Sequence, residues 1–162
     1  MSFARIGCVT TLNSTLIQDF AKNYQESAKK IHALVDPLSN DQIWAKPYPY
    51  GNSIGNLLLH LTGNLNYYLG AEMGSTGYVR NRPLEFDPAS RIPKDELLRR
   101  FDDAIAVVIA VLQKQSETDW FTAYSAKGQE SIGDRFSAIL HCAGHIYHHT
   151  GQMIYLIKEL QK

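Results

Sequence analysis

Four of the six histidines in this chain, His141, His145, His148 and His149, fall within nine residues. Imidazole nitrogens suit zinc, nickel, copper and iron alike, so the first question is whether the spacing lets two rings share one ion. Around them, Ile139, Cys142, Ile146, Met153, Leu156 and Leu160 recur at steps of three and four, the period of an amphipathic helix with one face in a core. His149 lies on that stripe and His145 one turn before it, about 40° apart around the axis at ~3.6 residues per turn. His141 and His145 make a second pair of the same spacing, and spacing alone does not choose between the two pairs. His148 stands about 100° from His149, which makes it the poorer partner.

A lone histidine on such a helix is more often a hydrogen-bonded core or surface residue than a ligand. Four so close together shift the balance toward a site. A third ligand is at hand in His60, which borders Leu57 and Leu61 on another helical stripe and lies one turn from both Asn56 and Asn64. His32 has no partner nearby in sequence and reads as a surface or structural residue. Three neutral imidazoles leave a divalent ion's charge uncompensated and at least one coordination position open, whereas structural zinc sites usually close the shell with cysteines. Such an ion can lower the pKa of bound water to ~7, or bind a thiol as its thiolate.

Other metal and catalytic signatures are missing. His145-Ile146-Tyr147-His148-His149 lacks the glutamate that zinc proteases place after the first histidine. No Glu-x-x-His of the di-iron bundles and no Cys-x-x-Cys-His of haem attachment occurs. Phosphate loop, dinucleotide fingerprint and serine nucleophile elbow are also lacking.

The elements that must position the histidines are four long helices. The first runs from Leu12 to Val35 with Asn13 or Ser14 as cap; Pro37 lies beyond its end. An aromatic-rich connection with at most one helical turn follows, from Leu38 to Gly51. Its Trp44, Tyr48 and Tyr50 are expected to pack over one end of a bundle. Asn52-Ser53 caps the second helix, which carries His60 and runs to Gly74. A long crossover spans Ser75 to Pro93, and its Glu85 and Asp87 are read as solvated. Pro93, Asp95 and Glu96 open the third helix, with the stripe Leu97, Phe101, Ile105, Val108 and Leu112. After a second connection, Glu117 to Glu130, Ser131 is expected to cap the fourth helix. The predicted fold is all-α: a four-helix bundle with a long crossover after the second helix, one domain over residues 1–162.

The totals bound the function. A chain of 162 residues buries a core without disulfides. Sixteen basic residues balance sixteen acidic ones, and the longest basic runs are the pairs Lys29-Lys30 and Arg99-Arg100, which leaves no footprint for nucleic acid or an anionic membrane. The longest apolar run, Ala104 to Leu112, is too short to span a bilayer, which takes ~20 residues. Cys8 and Cys142 do not resemble a disulfide framework, and the first eleven residues lack a signal peptide's apolar region. A soluble protein of the reducing cytoplasm is expected.

Pro47-Tyr48-Pro49, Asn52-Ser53-Ile54-Gly55-Asn56-Leu57-Leu58-Leu59-His60-Leu61, Arg80-Asn81-Arg82 with Glu85-Phe86, and His145-Ile146-Tyr147-His148-His149-Thr150-Gly151-Gln152 together resemble the DinB/YfiT-like superfamily over most of the chain. In that family a four-helix bundle binds a divalent metal through one histidine on the second helix and two, four apart, on the last; many members are homodimers. Carried onto the matching positions, the resemblance implies His60, His145 and His149 as ligands, the histidine two residues before Gly151-Gln152 deciding for the later pair. Relatives include thiol-dependent S-transferases, a thiol-dependent isomerase and proteins described as metal-dependent hydrolases.

The expected function is therefore a zinc-, nickel- or iron-dependent enzyme activating water or a low-molecular-weight thiol for hydrolysis or S-transfer on a small-molecule substrate. Asn64, Tyr67, Tyr147, His148 and Gln152 are candidates for contacts around the metal or to the substrate. The alternative is a non-catalytic dimeric bundle, stress-related, that binds metal or a small ligand.

Overall fold

The computed structural model describes residues 11–162, so Cys8 and the N-terminal stretch read for a signal peptide lie outside the described residues. The helical periods of the sequence become α1 (Leu12–Val35), α2 (Asn40–Trp44), α3 (Ile54–Leu65), α4 (Glu72–Gly74), α5 (Lys94–Gln113) and α6 (Arg135–Leu160). A π-helical segment, Asn66–Ala71, joins α3 to α4 without a break, and 3-10 turns at Arg82–Glu85, Pro88–Ser90 and Asp119–Phe121 punctuate the connections. Among the described residues the only β feature is a single bridge between Ala123 and Asp134. The fold is all-α. Helix α1 packs on α5 and α6, and α3 packs on the same two, so the four long elements form a closed ring of neighbours.

Apolar stripes account for that packing. Leu97, Phe101, Ile105, Val108 and Leu112 of α5 are all buried, as are Tyr24, Ala28, Ile31 and Val35 of α1 and Ile139, Cys142, Ile146, Met153 and Ile157 of α6. Nearly all of α3 is buried, because it has neighbours on several sides. Each fully buried Leu, Ile or Phe contributes roughly 1.5–3 kcal/mol of transfer free energy, which outweighs the few tenths from propensity and decides which face turns inward. Polar ties fix the register: the Tyr24 hydroxyl donates to the Ile139 carbonyl at 2.8 Å, and His32 Nε2 meets the Asp102 carboxylate at 2.9 Å.

Local chemistry moves several boundaries. Thr11, not Asn13 or Ser14, caps α1 in a capping box with Ser14. Asn13 instead accepts from Trp120 Nε1 at 2.6 Å and donates to the Gln115 carbonyl at 3.2 Å, stitching the start of α1 to the second connection. Helix α6 is capped by Asp134, three residues after the expected Ser131, because the bridge to Ala123 holds the preceding backbone extended while the Asp134 carboxylate accepts from Ser137 N at 2.7 Å. The one helical turn allowed in the first connection is α2, capped by Ser39. Trp44 is buried and packs on α3, its Nε1 donating to the Ile92 carbonyl at 3.0 Å, whereas Tyr48 and Tyr50 stack on each other and Tyr50 is exposed.

Gly55 is the reason Trp44 can lie so close to α3. A Cβ at that position would stand 2.6 Å from Trp44 Cε3 and Cζ3, and a buried indole held by a hydrogen bond has nowhere to go. Gly55→Ala is therefore expected to lose about 1–3 kcal/mol of stability by overpacking, despite the better helix propensity of alanine. Urea denaturation with a midpoint equal to or above wild type would show that the ring yields.

Candidate metal centre

Two long helices bring the three predicted ligands together. His60 projects from the middle of α3, and His145 and His149 from adjacent turns of α6. His60 Nε2 lies 3.4 Å from His145 Nε2, which lies 2.9 Å from His149 Nε2, and the three potential ligand atoms all fall within 4.8 Å of one another. Nitrogens bound tetrahedrally at about 2.0–2.1 Å would sit about 3.4 Å apart, so the observed spread matches a common ion with small ring movements.

Hydrogen bonding sets which nitrogen of each ring carries the proton. The Glu85 carboxylate accepts two bonds from Arg80, Nε to Oε1 at 2.6 Å and Nη2 to Oε2 at 2.9 Å, and its Oε2 lies 2.8 Å from His60 Nδ1. An ionised carboxylate can only accept, so His60 Nδ1 must donate and Nε2 presents its lone pair. Arg80 Nη2 also stands 3.2 Å from His60 Nδ1, but a nitrogen that donates to Glu85 cannot accept as well, and the carboxylate is the acceptor both share. His149 is oriented in the same way: its Nδ1 donates to Gln152 Oε1 at 2.8 Å, and Gln152 Nε2 donates to His148 Nε2 at 3.1 Å. These are the outer contacts that fix ring orientation and ligand basicity in metal sites.

Electrostatics favour the neutral form of the two α6 rings. Burial first, then the neighbouring imidazoles of His149, His60, His141 and His148, push His145 down to about 3. His149 is lowered by burial and by His60 and His148, against the raising effect of its bond to Gln152. Burial alone would raise Glu85, but hydrogen bonds from His60 and Arg80 hold it below the usual carboxylate range. Lone pairs from three neutral rings converging on one point repel unless a cation lies among them, so the donor set fits a divalent metal. Without one, a single N–H···N bond across the 2.9 Å between His145 and His149 relieves the closest pair.

The crossover supplies what sequence reading missed. Glu85, expected in solvent, is only 6% exposed; its carbonyl accepts from Asn56 Nδ2 at 3.0 Å while its carboxylate joins Arg80 to His60. Gly63, one turn after His60, makes room, because a Cβ there would collide with Glu85 Oε1. A usable signal existed in Arg80 and Glu85, an acid and a base five apart in a stretch without helical period, but nothing local pointed them at α3.

The other candidates divide. Asn64 and Tyr67 line a cavity of about 800 Å³ that opens beside His60 and His145 and is closed by Arg80, Arg82 and the Lys127–Gln129 loop. The π-helical turn, in which the Glu72 N–H reaches back to the Tyr67 carbonyl, carries two consecutive tyrosines, Tyr67 and Tyr68, on the cavity wall; such turns often mark functional sites. Gln152 and His148 contact His149 as described. Tyr147 is elsewhere, half-exposed in a groove between α1 and α6 with its hydroxyl accepting from Asn23 Nδ2 at 2.7 Å. His141 is exposed on α6, its ring parallel to His145 at 6.4 Å. Burial pushes the Cys142 thiol up to about 12, so the free cysteine is packing and not a nucleophile.

Two measurements check this geometry. Replacing Glu85 with Gln, or Gly63 with Ala, is expected to weaken zinc affinity about 10–100-fold, the usual cost of losing an outer partner; competition with a chromogenic chelator reads it, and unchanged affinity in both would remove Glu85 from the site. The second is pH dependence in chelator-treated protein. Because the folded pKa of His145 lies near 3 against 6.5 for the free side chain, the unfolded chain binds more protons between those values. Stability should fall as pH drops through that window and be unaffected by this group above it. His145→Gln should flatten the slope of urea midpoint against pH, and parallel slopes would contradict the burial of a neutral ring.

Comparisons place this geometry among known proteins. A protein-family model described as "Protein of unknown function (DUF1572)" matches residues 12–162. The solved structure titled "Crystal structure of the conserved protein of locus from Enterococcus faecalis" is similar with a TM-score of 0.71 and 14% identity, over 90% of this chain and 96% of that one; at that identity the likeness concerns the fold. Curated proteins give no match to the sequence. Since the family model spans all four long helices and every histidine of the cluster, the chain belongs to the DUF1572 family.

Proposed function

We propose that this DUF1572 protein is a divalent-metal-dependent enzyme of the DinB/YfiT-like kind, in which His60, His145 and His149 hold zinc, nickel or iron. Its reaction is hydrolysis of, or thiol transfer to, a small molecule bound in the adjoining cavity. The observation that carries the reading is the convergence of three neutral imidazoles, two with Nδ1 tied down by hydrogen bonds, at the wall of a cavity large enough for a small organic substrate.

The bound ion supplies Lewis acidity, making water or a thiol nucleophilic near neutral pH. The chain's own residues do the rest. Glu85 and Gln152 hold two rings in the tautomer that leaves Nε2 free. The tyrosines of the π-helical turn shape the cavity, and Arg80 keeps Glu85 ionised. Among the described residues no carboxylate lines the cavity, and His60, His145 and His149 would hold an ion able to supply the activation a carboxylate base would otherwise give. Among the described residues the one cysteine, Cys142, is buried and is no candidate for the thiol, which favours a thiol or water brought from solution.

Metal analysis by mass spectrometry on untagged protein purified without chelator tests this. About one equivalent is expected in wild type and in His141→Ala, and little in His60→Ala, His145→Ala or His149→Ala. The same samples assayed with thiols and electrophiles, and with ester and amide substrates, should show a rate that disappears with the metal. Metal retention without any metal-dependent rate would leave a binding protein, and a metal-free wild type that stays empty after incubation with zinc, nickel and ferrous iron would overturn the reading.

A further inference from the structure

The tyrosines of the first connection have no part in the metal centre, although Pro47-Tyr48-Pro49 stands out in the sequence. They line a second cavity, of about 340 Å³, together with Leu57 of α3 and Gln152, Tyr155 and Leu156 of α6. Among the described residues no charged side chain lines it. Tyr50 is 75% exposed and Tyr155 74%. A single exposed tyrosine is ordinary surface. Tyr48, Tyr50 and Tyr155 around one cavity with the two leucines give the mostly apolar, aromatic lining of a small-molecule site, at the small end of the usual size range.

The segment holds its rings in place before any ligand arrives. Pro47 and Pro49 fix φ near −65° on either side of Tyr48, and Gly51 turns the chain at φ +81° just before Ser53 caps α3. The Tyr48 and Tyr50 rings stack, with centroids 5.5 Å apart and planes 11° from parallel. The Tyr48 hydroxyl meets the Glu159 carboxylate, which is itself paired with Lys162 at 2.6 Å. Rings ordered in advance lose little further freedom on binding. Lys158 Nζ stands 5.9 Å from the centre of the Tyr155 ring and so already takes the place of a cation on it. With that place filled, Glu159 paired and no charge in the lining, the cavity suits an uncharged ligand.

We propose that this second cavity binds an uncharged planar aromatic group against the exposed rings of Tyr50 and Tyr155, and that the molecule carrying it is the second organic partner of the reaction at the metal centre. Gln152 joins the two places, since it lines the cavity while its Oε1 accepts from His149 Nδ1. Leu57 stands one turn before His60 on α3. The centre therefore has the large cavity on its His145 side and the aromatic one on its Gln152 side. Hydrolysis needs a place for one organic molecule, whereas thiol transfer needs places for two. In such a transfer the thiol sulfur bonds to an electrophilic carbon of the aromatic partner. The bond from that carbon to its leaving group breaks with the electron pair going to the leaving group, and the thiol proton passes to solvent. The catalytic part rests on the proposed function and narrows it to transfer. The binding itself rests on the cavity alone.

The test titrates indole, uncharged and planar, by NMR into the full chain after chelator treatment and again after zinc loading. Shifts are expected at residues 48–52 and 152–156 in both states. Tyr50→Ala combined with Tyr155→Ala should weaken indole binding about fivefold or more, while Tyr50→Phe with Tyr155→Phe, which keeps both ring faces, should bind as wild type does. Both positions are exposed, so the melting temperature should stay within the range of ordinary surface substitutions. Lys127→Met, on the large cavity, should leave indole binding unchanged. The proposal is overturned if indole fails to bind or shifts other residues, if the alanine variant binds it as wild type does, or if the phenylalanine variant loses as much as the alanine one. A dimer that Tyr155→Ala dissociates, seen by sedimentation, would overturn it too and assign the rings to an interface between copies. Indole binding without any zinc binding in wild type would sink the catalytic reading and leave the aromatic site standing. A metal-dependent rate without indole binding would remove the aromatic site and leave the proposed function intact.

Discussion

A buried carboxylate holds this molecule's site to its fold. Glu85 is withdrawn from water in the middle of the crossover, and an ionised carboxylate there is tolerable only because Arg80 bonds both of its oxygens and His60 donates a third bond. Desolvating two charges costs several kcal/mol each, recovered only where geometry and additional hydrogen bonds are good. Such a pair is weak evidence for stability and better evidence for positioning. Here it does two positional jobs: it pins a long irregular segment onto α3, and it fixes the tautomer of His60. The bond from Asn56 to the Glu85 carbonyl and the space left by Gly63 serve the same contact.

From that contact the rest of the centre follows in order. With His60 Nε2 committed as a lone pair, α6 must deliver its two rings to the same point, and the i, i+4 spacing of His145 and His149 does so along the edge of the buried stripe. Their desolvation keeps them neutral, and neutral imidazole is the ligand form. Gln152, one turn beyond His149, repeats on α6 the orienting role that Glu85 has on α3, with an amide in place of an acid. His145 differs: its Nδ1 is buried without a partner among the described residues, so of the three rings it is the one whose orientation rests on packing.

Much of this was legible in the sequence, and the rest was hidden for identifiable reasons. Helical periodicity located the long helices because their buried faces are continuous, and the all-α fold follows from them. His60, His145 and His149 were readable as a set through spacing and family resemblance, and the structure brings those three together. The role of Glu85 was not readable, since a carboxylate in a proline-containing loop looks solvated until the loop is seen folded on a helix 25 residues earlier. The π-helical turn leaves no mark in a period that runs smoothly from Ile54 to Gly74, and the bridge that delays α6 to Asp134 depends on a residue eleven positions before it. Tyr147 shows the converse limit: adjacency in sequence to His148 and His149 put it among the candidates, but a 100° rotation per residue turns it toward α1.

X-ray absorption at the zinc edge of the metal-loaded protein tests the central claim most directly, because it counts ligands by type. Three imidazoles with nitrogen or oxygen scatterers at about 2.0–2.1 Å, falling to two in His149→Ala once that variant, which retains little metal on purification, is reconstituted at excess zinc, is the result expected from the convergence of His60, His145 and His149. A sulfur shell at about 2.3 Å, or an imidazole count unchanged by loss of His149, would place the metal elsewhere and contradict the account.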